Sequence, residues 1–201
     1  MNTTTLWIRH GTCEDGLYRP SAHARPSSPL TSQGAREAEL AAHKLCEQDW
    51  RPALILSSPL PRARQTATIL TRSMSSMDLE IADLSSMFAE WRAPDCVVGL
   101  APAQYPPDYI AWRQQRTSHP ESSLPGGESL RAFAQRAADA TTIAEDLEAK
   151  HGQVLIVSHR LLIGAVAALH HGHRDPAGIF TSASAFQLAP AHTWAPSRKT
   201  T

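Results

Sequence analysis

Arg9-His10-Gly11 stands directly after the short apolar run Leu6-Trp7-Ile8. A strand that ends in this pair sets an imidazole, nucleophilic when neutral, beside a fixed cation, the start of a phosphate-handling site. Two further polar clusters follow apolar runs in the same way. Ser57-Ser58-Pro59 comes after Ala53-Leu54-Ile55-Leu56, with Arg62 close behind, and Ser158-His159 comes after Val154-Leu155-Ile156-Val157. Two guanidiniums can clamp phosphate oxygens through charge-assisted hydrogen bonds while an imidazole attacks the phosphorus. For that, the three strand ends must meet.

The rest of the pattern supplies elements able to bring them together. After the first strand, residues 12–30 hold Gly16, Pro20, Pro26 and Pro29 and read as an irregular loop. Ala38, Ala41, Ala42 and Leu45 recur at helical spacing, which predicts an amphipathic helix over 33–48 capped by Thr31 or Ser32. The second strand, 53–57, leads through Pro59 and Pro61 into a helix over 62–73. A third strand is expected over 79–84. From Trp91 to Gly127 six prolines interrupt the pattern around a short helix at 107–116. An excursion of that length is read either as a lid or binding loop or as a plain surface insertion. Leu130, Phe133, Ala134, Ala137, Thr141, Ala144 and Leu147 mark a long helix ended by Gly152. Val154–Val157 is apolar throughout, as in a central strand buried on both faces, and Leu161–Leu169 reads as a buried helix. Ala183–Leu188 is expected as a last strand and the tail after Pro190 as frayed.

Alternating strands and helices predict a three-layer α/β/α sandwich with a mostly parallel central sheet, residues 1–201 forming one domain with the 91–127 excursion. Ligands bind such sheets beyond the carboxyl ends of the strands, where all three clusters fall. Nineteen basic residues balance nineteen acidic ones, so any anion site must be a local concentration of Arg and His, and neither nucleic acid nor membrane is expected as a partner. No apolar run is long enough to span a bilayer and the N-terminus lacks the features of a signal peptide, so a cytoplasmic location is expected. Cys13, Cys46 and Cys96 offer neither a paired disulfide framework nor metal-ligand spacing.

Five motifs in this order resemble the histidine phosphatase superfamily, the phosphoglycerate mutase-like proteins. They are Arg9-His10-Gly11; Pro29-Leu30-Thr31 with Gly34; Ser57-Ser58-Pro59-Leu60 with Arg62-Ala63-Arg64-Gln65-Thr66-Ala67; Gly126-Gly127-Glu128-Ser129; and Val157-Ser158-His159. The resemblance covers most of the chain and implies a phosphoglycerate mutase-like fold. It also implies His10 as the nucleophile and Arg9, Arg62 and His159 as the lining of the phosphate pocket, with Arg64 outside it. Glu90 falls where the family places its catalytic acid, although the family's usual continuation is missing, and Asp95 and Glu14 are alternatives. Cys13 and Gly16 occupy places where the family commonly has Thr and Asn, so one phosphate donor is absent or replaced. Arg160 stands where it has glycine, and its side chain either braces the site or meets the substrate.

His170, His171 and His173 look like a metal tract but read better as a solvated helix end, and no metal or other cofactor is expected. Arg19, His23, Arg25, Arg92, Arg113 and Arg116 are surface charges or readers of an anionic substrate. The activity implied is metal-independent hydrolysis of a small phosphomonoester through a phosphohistidine. The alternatives are mutase-type phosphoryl transfer, a non-catalytic phospho-ligand module, and a protein phosphatase, which would need an open site. A homodimer is compatible with the sequence, which does not fix the oligomeric state.

Overall fold

The computed structural model describes residues 5–19, 22–74, 81–83 and 86–197. Among the described residues five strands form one sheet in the order β3-β2-β4-β1-β5. They are β1 (Thr5–Arg9), β2 (Leu54–Ser57), β3 (Ile81–Asp83), β4 (Val154–Ser158) and β5 (Thr193–Trp194). β4 lies between β1 and β2 and is parallel to both, β3 is parallel to β2, and β5 is antiparallel to β1. Of the third strand expected over 79–84, residues 79, 80 and 84 lie outside the described residues.

Side-chain alternation along these strands explains the layers. Ile8, Ile55, Leu155 and Val157 point to one face and meet Ala41, Ala42 and Leu45 of α2 (Ser32–Glu47) and Ala63, Ala67 and Leu70 of α3 (Pro61–Ser73). Trp7, Leu56, Val154 and Ile156 point to the other face and meet α5 (Leu130–His151), α6 (Arg160–His170) and α7 (Pro176–Ala185). Successive strand residues lie on opposite faces, so the central strands are apolar on both, as the Val154–Val157 run required. Phe133 and Leu130 on α5 are wholly buried; each such side chain contributes about 1.5–3 kcal/mol relative to exposure. Thr31 caps α2 by accepting from the Gly34 N–H at 3.0 Å. The α/β/α sandwich with a mostly parallel sheet is therefore the observed fold.

Three expectations are corrected. Residues 12–30 contain a short helix, α1 (Glu14–Tyr18), rather than irregular loop throughout. Ala183–Leu188 is not a strand. Asp175 caps α7 by accepting from the Gly178 N–H at 2.7 Å, Pro176 fits its first turn, and the helix continues through Ala185. Gly164 lets α6 close on α7, because a Cβ there would sit 2.9 Å from the Ala183 Cα. Nor does the tail fray directly after Pro190; residues 198–201 lie outside the described residues. Ala191 donates to the Arg9 carbonyl at 3.0 Å, the Arg9 N–H donates to the His192 carbonyl at 3.1 Å, and β5 then pairs with β1.

The excursion from Trp91 to Gly127 is fastened at its base and to the first loop. Glu128 N–H donates to the Arg92 carbonyl and Asp95 N–H to the Pro125 carbonyl, joining entry to exit. Val98 bridges His23, and Arg19 Nη1 donates to the Gly99 carbonyl at 3.0 Å. Its helix is α4 (Pro107–Gln115). Among the described residues no helix is long and apolar enough to cross a membrane.

Candidate active site

Parallel pairing puts the ends of β1, β4 and β2 side by side. Arg9 is in register with Ser158, the His10 N–H donates to the Ser158 carbonyl at 3.0 Å, and the Ser58 N–H donates to the Val157 carbonyl at 2.9 Å. The three sequence clusters therefore converge. The His10 and His159 rings stand 4.9 Å apart between centroids.

His10 Nδ1 lies 2.7 Å from the carbonyl oxygen of Gly11. A carbonyl can only accept, so Nδ1 carries the hydrogen and Nε2 presents a free lone pair. Gly11 is required by close approach: a Cβ there would fall 2.3 Å from the Gly34 carbonyl oxygen. This glycine pair seats the turn after β1 on the start of α2. Thr66 adds a tie from α3, accepting from the Gly11 N–H at 3.1 Å while donating to the Arg62 carbonyl at 2.8 Å.

His159 is fully buried, with Nε2 2.7 Å from Ser58 Oγ. The same Oγ accepts from the Leu60 N–H at 3.3 Å; with its own hydrogen turned to Nε2, the imidazole hydrogen sits on Nδ1. That Nδ1, with Arg9 Nε and Arg62 Nε, makes three buried nitrogens without a protein partner among the described residues. Unpaired buried donors are costly, and three at one strand-end cluster fit an anion. Arg62 Nη1 donates to the Arg25 carbonyl at 3.1 Å, and Arg9 Nη1 to the Leu188 carbonyl at 2.7 Å, which orients both guanidiniums.

Burial, and then the nearby charges of Arg62 and Arg9, lower the His10 pKa to about 3. His159 is held well below the usual range by burial and by Arg62. Burial also lowers Arg9 and Arg62, opposed in both by the Glu90 charge. The histidine is thus neutral without needing a base to deprotonate it. Because folding lowers its pKa, the unfolded chain binds this proton between about pH 3 and 6.5, and the contribution to stability is lost as pH falls through that window. In a histidine NMR titration the His10 ring is expected to stay neutral from pH 8 to below pH 5, and a midpoint near 6.5 would refute this environment.

Glu90 is held at both oxygens, Oε1 accepting from the Trp91 N–H at 3.0 Å and Oε2 from the Leu161 N–H at 3.3 Å, in the first turn of α6. Its charge bears on both Arg9 and Arg62. Asp95 instead lies against Gly126 at the base of the excursion, and Glu14 is exposed on α1. Arg64 is exposed. Gly16 is exposed on α1 and supplies no side-chain donor, while Cys13 is buried within electrostatic reach of Arg9 and Arg62. The Arg160 side chain braces the fold: Nη1 donates to the carbonyls of Ser184 at 3.1 Å and Phe186 at 2.9 Å, at the end of α7. Arg116 is packed over the rings of Phe180, Trp112 and Trp91. His170 hydrogen-bonds Ser197 and meets the edge of Trp194, and among the described residues no cluster of three His, Cys, Asp or Glu could hold a metal ion.

The pair Asp15–Arg25 gave no sequence signal. Asp15 is buried and takes Arg25 Nη2 at 2.6 Å and Nε at 3.0 Å, together with the Arg25 N–H at 2.7 Å. This fixes the carbonyl that orients Arg62. Only the carboxylate–guanidinium match ten residues apart could have hinted at it.

The model of the histidine phosphatase superfamily, branch 1, matches residues 6–181. The chain belongs to this superfamily. No curated protein matches it. Among solved structures this histidine phosphatase family member is similar to a mycobacterial glucosyl-3-phosphoglycerate phosphatase complexed with VO3. The two are 23% identical over 94% of this chain and 88% of that one, with a TM-score of 0.73. It is also similar to the α-ribazole phosphatase of Shigella flexneri, at 24% identity over 94% and 87% of the two chains and a TM-score of 0.72. A putative α-ribazole-5′-phosphate phosphatase from Escherichia coli shares 20% identity over 87% and 82%, also with a TM-score of 0.72.

Proposed function

We propose that the protein is a single-domain, metal-independent phosphatase that hydrolyses a small phosphomonoester through a phosphohistidine on His10. The observation that carries this reading is a neutral, oriented His10 Nε2 beside three buried donors that lack partners. Names of solved relatives as phosphatases support hydrolysis.

In the first step the Nε2 lone pair attacks phosphorus and the phosphorus–oxygen bond to the leaving group breaks. Glu90 gives its proton to the departing oxygen, which a poor alkoxide leaving group requires. Arg9, Arg62 and the His159 Nδ1–H hold the equatorial oxygens as charge spreads over them. Water then attacks the phosphohistidine, Glu90 takes its proton, and the phosphorus–nitrogen bond breaks to return neutral His10 and release inorganic phosphate. The fixed charge comes from the two guanidiniums, so no step calls for a metal.

Phosphate release from a broad panel of phosphomonoesters, measured with EDTA present, tests this. Turnover of at least one ester, undiminished by the chelator, is expected. Loss of activity on chelation, restored by added metal, or no release from any ester would overturn the reading.

A further inference from the structure

The segment 86–92 carries Glu90, and its main chain converges on one largely buried side chain. Arg136, from the second turn of α5, donates through Nη1 to the carbonyls of Ala89 at 2.7 Å and Met87 at 3.1 Å, with Ser86 at 3.4 Å. Its Nη2 reaches the Glu90 carbonyl at 3.3 Å. The carbonyl omitted from this series, that of Phe88, accepts from Ser158 Oγ at 2.8 Å, next to His159. Five successive carbonyls are thereby held, four of them by one guanidinium.

That guanidinium is itself fixed. Glu128 pairs with it through two parallel bonds, Nε to Oε1 at 2.8 Å and Nη2 to Oε2 at 2.7 Å. The side chains are 14% and 9% exposed, so water does not loosen the pair. Glu128 also grips the far end of the segment. Its Oε2 accepts from the Arg92 N–H at 3.2 Å, its carbonyl accepts from Trp91 Nε1 at 2.9 Å, and its N–H donates to the Arg92 carbonyl at 2.8 Å.

Packed carbonyl dipoles repel unless a cation sits among them, and a planar guanidinium can serve several at fixed angles while keeping a bidentate carboxylate. A lysine ammonium supplies the charge but not the fork. Glu90 extends from the segment so held toward Leu161, beside the strand-end cluster. We propose that the Arg136–Glu128 pair positions Glu90 for proton transfer to the leaving oxygen. Arg136 and Glu128 are positioning residues, and the proposal rests on the reading of Glu90 as the acid.

The test uses kcat/KM, which reports the step that cleaves the ester, for an alkyl phosphomonoester and for p-nitrophenyl phosphate, whose leaving anion departs without a proton. Glu90→Gln, as the reference, is expected to lose on the order of 10²–10³-fold on the alkyl ester and far less on the aryl one. Arg136→Lys is expected to follow it, losing roughly 10–100-fold on the alkyl ester against a few-fold on the aryl ester, with vanadate affinity unchanged. Glu128→Gln, which keeps shape and a hydrogen-bond acceptor, is expected to show the same selectivity and carries the comparison if Arg136→Lys does not fold. Equal losses on both esters with the Glu90→Gln selectivity intact would overturn the positioning role alone. No selectivity in Glu90→Gln would remove the acid assignment and this proposal with it, while phosphatase activity itself would stand on the wild-type rates.

Discussion

Replacing His10 with alanine is expected to lower kcat/KM for phosphate release by roughly 10⁵-fold or more, as removal of a covalent nucleophile does elsewhere. The geometry leaves no substitute. Nε2 of His10 is the free lone pair beside the unpartnered donors, whereas Nε2 of His159 is engaged by Ser58. The loss should fall on chemistry rather than on folding or anion binding. His10 is buried and held neutral, and the ring hydrogen bond the variant loses is the local one from Nδ1 to the adjacent Gly11 carbonyl. Arg9, Arg62 and His159 remain, so the variant should still bind vanadate and gain thermal stability from it in proportion to the logarithm of its concentration. Initial-rate phosphate release and thermal shift on the same preparation check both halves. A variant that retains more than about a hundredth of wild-type kcat/KM would mean that another group attacks phosphorus.

Arg62→Met is expected to lower kcat/KM by about 10³-fold, the scale of losing a cation that meets transferring phosphoryl charge. It should also stabilise the free protein by about 1 kcal/mol, because a buried cation with no salt bridge to a carboxylate among the described residues costs more than an apolar side chain of similar volume. Arg62 is 3% exposed, its pKa is pushed down by burial, and its Nε is unpartnered. Such an arrangement has no structural benefit large enough to explain it, but it suits a site awaiting an anion. Thermal denaturation without phosphate, beside kinetics on the preferred ester, separates the two effects. Lower stability together with unchanged activity would make Arg62 a structural residue.

The sandwich was legible because its signals are local. Val154–Val157 reads as a doubly buried strand from composition alone, α2 from its alanine spacing with Thr31 at its start, and α5 from a stripe that Gly152 ends. The convergence of the candidate site residues at strand ends was legible for the same reason. What escaped depends on distant partners. Ala183-Ser184-Ala185-Phe186 alternates like a strand, yet the Asp175 cap and the close approach at Gly164 make it helix. Ala191 and His192, just after Pro190, carry no periodic signal and are ordered by the backbone of Arg9. Arg136 looks like any exposed helical arginine until the chain returns segment 86–92 to it, and Asp15 like any loop carboxylate until Arg25 folds back. Ion pairs between separate segments leave little trace in sequence, whereas the candidate site groups stand on elements whose periodicity announces them.

The covalent step is the central claim, and one measurement reaches it directly: rapid acid-free quenching of the wild-type enzyme during turnover, followed by mass spectrometry of the histidine-containing peptides. A transient phosphoryl adduct on His10, forming before phosphate is released and decaying at the rate of turnover, is the result this account predicts. Steady turnover with no adduct, or an adduct on another residue, would contradict it.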